Sequence, residues 1–132
     1  MIAAEMDLFL KFSINAARRL PHLPAEHPCS RLHGHTFLIE LHVSGEVDRS
    51  SGWVIDFSDL DAPADAVKSA LEHRYLNEID GLSNPTSEHL AIWIWDKVAV
   101  AVCGLSKVVV MEGPDRGCAY NGPTGGSIAA SS

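Results

Sequence analysis

Within seven residues, Cys29-Ser30-Arg31-Leu32-His33-Gly34-His35, the chain sets a thiol and two imidazoles at the mouth of an apolar segment. In extended backbone, residues two apart point to the same side, so His33 and His35 can grip one divalent ion while Gly34 lets the backbone bend around it. Such a pair is half a site. Catalytic zinc takes three protein ligands and leaves a fourth position open for water or substrate, so a third ligand has to come from elsewhere. Without a metal, a His-x-His at a strand start is a hydrogen-bonded pair and nothing more. Cys29, four residues ahead of His33, reads as a third ligand or as a nucleophile or base.

Three other places carry chemistry. Glu72-His73 is a carboxylate beside an imidazole, the pairing a proton relay needs, although sequence neighbours often face apart and surface charge explains them as well. Thr86-Ser87-Glu88 is first of all a helix start, which capping explains without a ligand. Glu112 closes the apolar run Val108-Val109-Val110-Met111 beside Gly113-Pro114, where a carboxylate pairs with a cation or waits for one. Trp93, Trp95, Cys103 and Cys118 read as core or structural residues, and His22, His27 and His89 as solvated ones.

The elements that must position these residues follow from periodicity. Leu8, Leu10, Phe12 and Ile14 alternate with more polar residues and predict a strand over Asp7 to Ala16. Residues 17–32, with Pro21, Pro24 and Pro28, predict a long irregular loop. His35 to Val47 alternates cleanly: Phe37, Ile39, Leu41 and Val43 share a face with His33 and His35, and Thr36, Glu40, His42, Ser44 and Glu46 take the other. After a polar turn, Trp53 to Phe57 reads as briefly extended. Ser58 or Asp61 then caps a helix, Pro63 favouring the later start, which runs to about Glu72. A loop over 74–85 precedes a second helix, capped by Thr86 or Ser87, apolar nearly all round and stopped by Gly104. Lys107 to Glu112 and Cys118 to Asn121 predict a closing hairpin. This order predicts an α+β fold, a four-stranded antiparallel sheet with two helices on one face. Its two open edges, and a polar face bearing Glu40 and His42, suit a β-barrel closed by oligomerisation.

At 132 residues the chain predicts one domain over residues 1–122 and a flexible tail over 123–132, rich in small residues. A net charge of -7 argues against sequence-independent nucleic-acid binding, which needs clustered cations, and favours a small-molecule substrate. Cysteines at 29, 103 and 118 form no Cys-x-x-Cys and leave one unpaired, which fits reduced thiols in a cytoplasm. Acidic residues in Met1 to Asp7 do not suit a signal peptide, and no apolar run reaches membrane-spanning length, so a cytoplasmic protein without membrane contact is expected.

Taken together, Ala16-Ala17-Arg18-Arg19-Leu20-Pro21-His22, Cys29 to His35, Gly52-Trp53-Val54-Ile55-Asp56-Phe57, His73-Arg74-Tyr75-Leu76-Asn77, Asn84-Pro85-Thr86-Ser87-Glu88 and Glu112 make the chain resemble the 6-pyruvoyl- and 6-carboxytetrahydropterin synthase family from about Phe9 to Gly122. The four-residue step from Cys29 to His33 is similar to the bacterial 6-carboxytetrahydropterin branch. The resemblance implies the tunnelling fold, three subunits closing a twelve-stranded barrel and two trimers stacking into a homohexamer, with sites at subunit boundaries. It implies Zn2+ as cofactor on His33 and His35, Cys29 as catalytic thiol, and His73 with Glu72 as proton relay, glutamate standing where aspartate is usual. It further implies Glu112 as the pterin anchor, with Thr86, Ser87 and Glu88 lining the pocket. The activity implied is a zinc-dependent lyase reaction on 7,8-dihydroneopterin triphosphate, giving 6-carboxy-5,6,7,8-tetrahydropterin on the way to queuosine. The alternatives are a pyruvoyl-type synthase and a pterin-binding protein with an impaired metal site. One departure stands out: the family's first zinc ligand is a histidine, and that position here is Arg18, whose guanidinium has no lone pair to give.

Overall fold

Apolar residues spaced two apart offer one continuous apolar edge only in extended chain, and the first two elements are strands for that reason. In the computed structural model, which describes residues 4–124, they are β1 (Glu5–Arg18) and β2 (His33–Glu46). Of the expected strands, Asp7 to Ala16 is shorter than β1 at both ends, and His35 to Val47 begins two residues late and runs one residue beyond β2. The ladder is unbroken from Glu5 opposite Glu46 to Arg18 opposite His33, and backbone hydrogen bonding carries both strands past their last apolar residue. The connecting loop is therefore 19–32. Arg18 and His33 become direct cross-strand neighbours.

Residues 53–57 do not form the extended segment expected of them. The chain bends there, Asp48 N–H donating to the Trp53 carbonyl at 2.9 Å while Val54 and Ile55 pack against the core. Helix α1 (Ser58–Leu71) starts earlier than Pro63 suggests, and neither Ser58 nor Asp61 caps it. The Asp56 carboxylate accepts the Ser58 N–H at 3.0 Å instead. The N–H that Pro63 lacks would have gone to the carbonyl of Asp59, an exposed residue that water can serve, while the extra turn buries Leu60 in line with Ala64, Val67 and Leu71.

Helix α2 (Ser87–Ala99) is capped by the Thr86 hydroxyl, which accepts the His89 N–H at 3.1 Å. It buries Ser87, Leu90, Ala91, Ile94 and Val98 but leaves Ile92 exposed and Trp93 and Trp95 half-buried, so it is amphipathic rather than buried throughout. It also ends before the expected stop at Gly104. Residues 98–102 tighten into a turn, and Gly104 serves the next strand: its φ is 93° and a Cβ there would lie 3.2 Å from the Ser44 carbonyl. Strands β3 (Leu105–Gly113) and β4 (Arg116–Tyr120) begin two residues earlier than expected, because Leu105 pairs with Val43 and Arg116 with Gly113.

The sheet runs β1-β2-β3-β4, antiparallel throughout, with α1 packed toward β1 and α2 toward β3 and β4. One core joins both helices to Ile14, Phe37, Ile39, Leu41, Val108 and Val110 on the same sheet face. The opposite face is polar as expected, with Glu40 forming an ion pair with Lys11 at 3.7 Å and pairing with His42 at 2.8 Å. Among the described residues no helix is long and apolar enough to cross a membrane. The tail expected over residues 123–132 lies, from residue 125 on, outside the described residues.

Candidate functional site

Arg18 ends β1 on the core side of the sheet and is only 3 % exposed. A guanidinium cannot be buried that deeply without partners, and three elements supply them. Its Nη1 donates to the Pro85 carbonyl at 3.0 Å, just ahead of α2; its Nη2 lies 3.3 Å from Glu112 Oε1 near the end of β3; and its Cζ lies over the Phe37 ring on β2, 4.9 Å from the ring centre. Its Nε, also buried, has no hydrogen-bond partner among the described residues.

Glu112 is held from both sides. The Ser87 hydroxyl, in the first turn of α2, donates to Oε2 while Arg18 takes Oε1. Burial pushes the Glu112 carboxyl up, but the Ser87 hydrogen bond, the Arg18 guanidinium and the nearby His35 outweigh it and hold the group below the usual carboxylate range. The Glu112 carbonyl lies 2.7 Å from His35 Nε2, which fixes that imidazole as the donor and leaves Nδ1 as its free nitrogen. His33, one pleat back, faces the Arg31 carbonyl through Nδ1 at 2.8 Å, and its ring stands perpendicular to that of His35 with centroids 6.4 Å apart.

A second cluster forms where α1 gives way to the following loop. Glu72 Oε1 accepts the Asn15 N–H at 2.6 Å, and the Asn15 carbonyl accepts the His73 N–H at 2.7 Å. That clamp holds His73 at φ 58°, a left-handed conformation costly for a residue other than glycine. The Asn15 N–H, opposed by desolvation and aided by the charges of His73 and Lys68, holds the Glu72 carboxyl below its ordinary value. Glu72 Oε1 is 4.0 Å from His73 Nε2, and the His73 side chain is otherwise open to solvent. Asn15, with no chemistry of its own in the sequence, is the residue that makes the pair a unit.

The two clusters meet at His35. An open groove of about 770 Å³ runs between the ends of β1 and β2 and the 73–75 loop, lined by Ala17, Gly34, His35, Thr36, His73 and Tyr75 among others. Cys29 does not line it. It lies in a short 3-10 turn, Pro28–Ser30, in the long loop; its N–H donates to His27 Nδ1 at 3.1 Å and its carbonyl accepts the Leu20 N–H at 2.9 Å, tying it back toward the end of β1. Of the helix-start trio, Thr86 is the cap, Ser87 reaches Glu112 and Glu88 is exposed. His27 and His89 are not merely solvated: His89 Nδ1 lies 2.8 Å from the Asn84 carbonyl, so both rings brace loop backbone.

The fit to zinc is incomplete. His33 and His35 supply two imidazoles on one sheet face, but the place beside them is taken by Arg18, which is turned into the core toward Glu112. Among the described residues no group of three or more His, Cys, Asp or Glu side chains is disposed to hold a metal ion. The resemblance implied that Arg18 stands in place of a ligand; that it would become the partner of Glu112, 94 positions along the chain, had no local signal.

A sequence profile of the 6-pyruvoyl tetrahydropterin synthase family matches residues 7–123. The chain is 41% identical over 122 residues to a 6-carboxy-5,6,7,8-tetrahydropterin synthase of Synechocystis, covering 88% of this chain and 93% of that protein. It is 39% identical over 89 residues to a dihydroneopterin monophosphate aldolase of Pyrococcus furiosus, covering 65% and 75%. Its fold superimposes on the solved 6-pyruvoyl tetrahydropterin synthase of Caenorhabditis elegans with a TM-score of 0.82 at 27% identity, over 93% of this chain and all of that one. The strand order, the two helices packed on one sheet face and these likenesses together place the chain in the 6-pyruvoyl tetrahydropterin synthase family.

Proposed function

We propose that this chain is a pterin lyase that converts 7,8-dihydroneopterin triphosphate to 6-carboxy-5,6,7,8-tetrahydropterin, with acetaldehyde and triphosphate as the other products, in the route to 7-deazapurines such as queuosine. The observation that carries this reading is that His35 and His73, distant in sequence, line one groove, and that His35 is also hydrogen-bonded to the backbone carbonyl of Glu112. The Synechocystis relative, similar over nearly its whole length, supports the choice of product.

In this reading the Glu112 carboxylate accepts the adjacent N–H donors of the pterin ring, a guanidine-like edge that suits two carboxylate oxygens in parallel. Ser87 orients that carboxylate, and Thr86 and Glu88 stand at the helix start beside it. His73, steadied by Glu72, exchanges protons with the substrate side chain in the groove, and Cys29, whose loop is tied back toward the end of β1, is the thiol assigned as base. Zinc, if bound, would be held by His33 and His35 and would polarise the substrate's hydroxyl oxygens. The described residues do not complete that centre, so the roles assigned to Glu112, His73 and Cys29 do not depend on it.

The test is incubation with 7,8-dihydroneopterin triphosphate, with and without added zinc, and identification of products by mass spectrometry. Formation of the carboxy product is the expected result; the pyruvoyl product would reassign the reaction within the family. Pterin binding with no turnover under either condition would instead make the chain a pterin-binding protein with an impaired metal site, the second reading that Arg18 favours.

A further inference from the structure

Glu112 already holds a guanidinium, and that guanidinium belongs to the same chain. The carboxylate and the Pro85 carbonyl take two nitrogens of one flat cationic group lying over the Phe37 ring, while the Ser87 hydroxyl holds the other carboxylate oxygen. Together they form a receptor for a planar guanidine-like edge, with acceptors at the rim and an aromatic floor.

Arg18 fits that receptor imperfectly. It reaches one oxygen of Glu112, at 3.3 Å, while the other goes to Ser87, and so it forgoes the two-point fork that arginine and carboxylate make when free to align. Its Nε is buried without a partner, a cost that no second contact offsets. An incoming ring with two neighbouring N–H donors on one edge can take both carboxylate oxygens, once the Ser87 hydroxyl rotates away.

We propose that Arg18 is the resident occupant of the Glu112 receptor, a built-in competitor that a guanidine-like ligand edge has to displace before it can bind. Arg18 is thereby a specificity-determining residue as well as an absent metal ligand. It raises the threshold for any ligand that offers only one donor to Glu112, because a single contact does not replace the guanidinium. The inference rests on the preceding reading only for the identity of the ligand as a pterin; the occupied receptor stands on the geometry.

Two probes separate these claims: guanidinium chloride for the receptor and neopterin for the ligand class. Arg18→Ala empties the receptor, and Arg18→Met empties it while keeping an apolar stem over Phe37. If the paired state fills nine-tenths or more of the population, removing the guanidinium raises neopterin affinity about tenfold or more, read by fluorescence titration. Adding Glu112→Gln to Arg18→Met abolishes that gain. Low-millimolar guanidinium chloride raises the melting temperature of Arg18→Ala and not that of the parent. Equal neopterin affinity in parent and Arg18→Met overturns the proposal, and so does failure of guanidinium to stabilise Arg18→Ala. Guanidinium stabilisation without neopterin binding to any variant upholds the receptor and rejects the pterin reading instead. In the parent itself, the side-chain NMR resonance of the Arg18 guanidinium is expected to shift and exchange faster when neopterin binds. A resonance unchanged in the neopterin complex overturns displacement whatever the variants do.

Discussion

Arg18 does two things at once in this chain. It withholds a neutral nitrogen from the His33 and His35 pair, and it delivers a positive charge to the same end of the sheet, where it would oppose a bound cation. Even the loss of a partner that only orients a metal ligand costs ~10- to 100-fold in affinity. Arg18→His is therefore expected to raise zinc affinity by at least about that factor and to increase lyase turnover. Arg18→Ala should help zinc less, since it removes the charge but adds no ligand. Competition with a chelating dye on parent and variants, beside product formation, reads both quantities. Parent protein that already carries stoichiometric, chelator-resistant zinc, with no change in Arg18→His, would mean that the third ligand comes from another residue.

Helix α2 matters to the site through its first turn. Thr86 caps it, Ser87 holds Glu112, and Pro85 presents its carbonyl to Arg18, so three consecutive residues fix both the helix start and the partners of the buried ion pair. Thr86→Ala removes the hydroxyl that accepts the His89 N–H and is expected to cost about 1 kcal/mol of stability in urea unfolding. Because Ser87 follows directly, the same change should also weaken neopterin binding to Arg18→Met. Unchanged stability would show that the neighbouring contacts hold the helix start without its cap. The turn after α1 makes the complementary point: Asn15, on a strand, sets the conformation of His73, on a loop, by accepting its N–H and by donating its own N–H to the Glu72 carboxylate.

The sheet of a single chain ends at β1 and β4, and the outer edge of β1 is met toward its C-terminal end, where Asn15 bonds Glu72 and His73 and Ala17 bridges Tyr75. Edges left open in this way invite pairing with another copy. The polar face with Lys11, Glu40 and His42 also exposes Phe9, a composition suited to the lining of a closed barrel more than to free surface. A homohexamer of about 85 kDa, six times the 14.2 kDa chain, is expected by light scattering. A monomer at micromolar concentration would remove both the barrel and any site shared between subunits. Such a result would leave the Arg18 and Glu112 pair intact, since one chain makes it.

The alternation in β1 and β2, the apolar stripe of α1 and the capped start of α2 are local patterns, and they determined the fold class and the element order without reference to contacts. The two imidazoles on one sheet face were legible for the same reason, because a period of two fixes which side chains are neighbours. Helix and strand ends were less legible: Pro63 and Gly104 are local signals that burial of Leu60 and the pairing of Leu105 with Val43 overrode. What only the tertiary structure decided is the company each functional residue keeps. Arg18 meets Glu112, Pro85 and Phe37, and Asn15 meets Glu72 and His73, across separations that no sequence period encodes. A buried charge takes whatever partners the packed elements bring within reach, and for Arg18 those partners are the Glu112 carboxylate, the Pro85 carbonyl and the Phe37 ring.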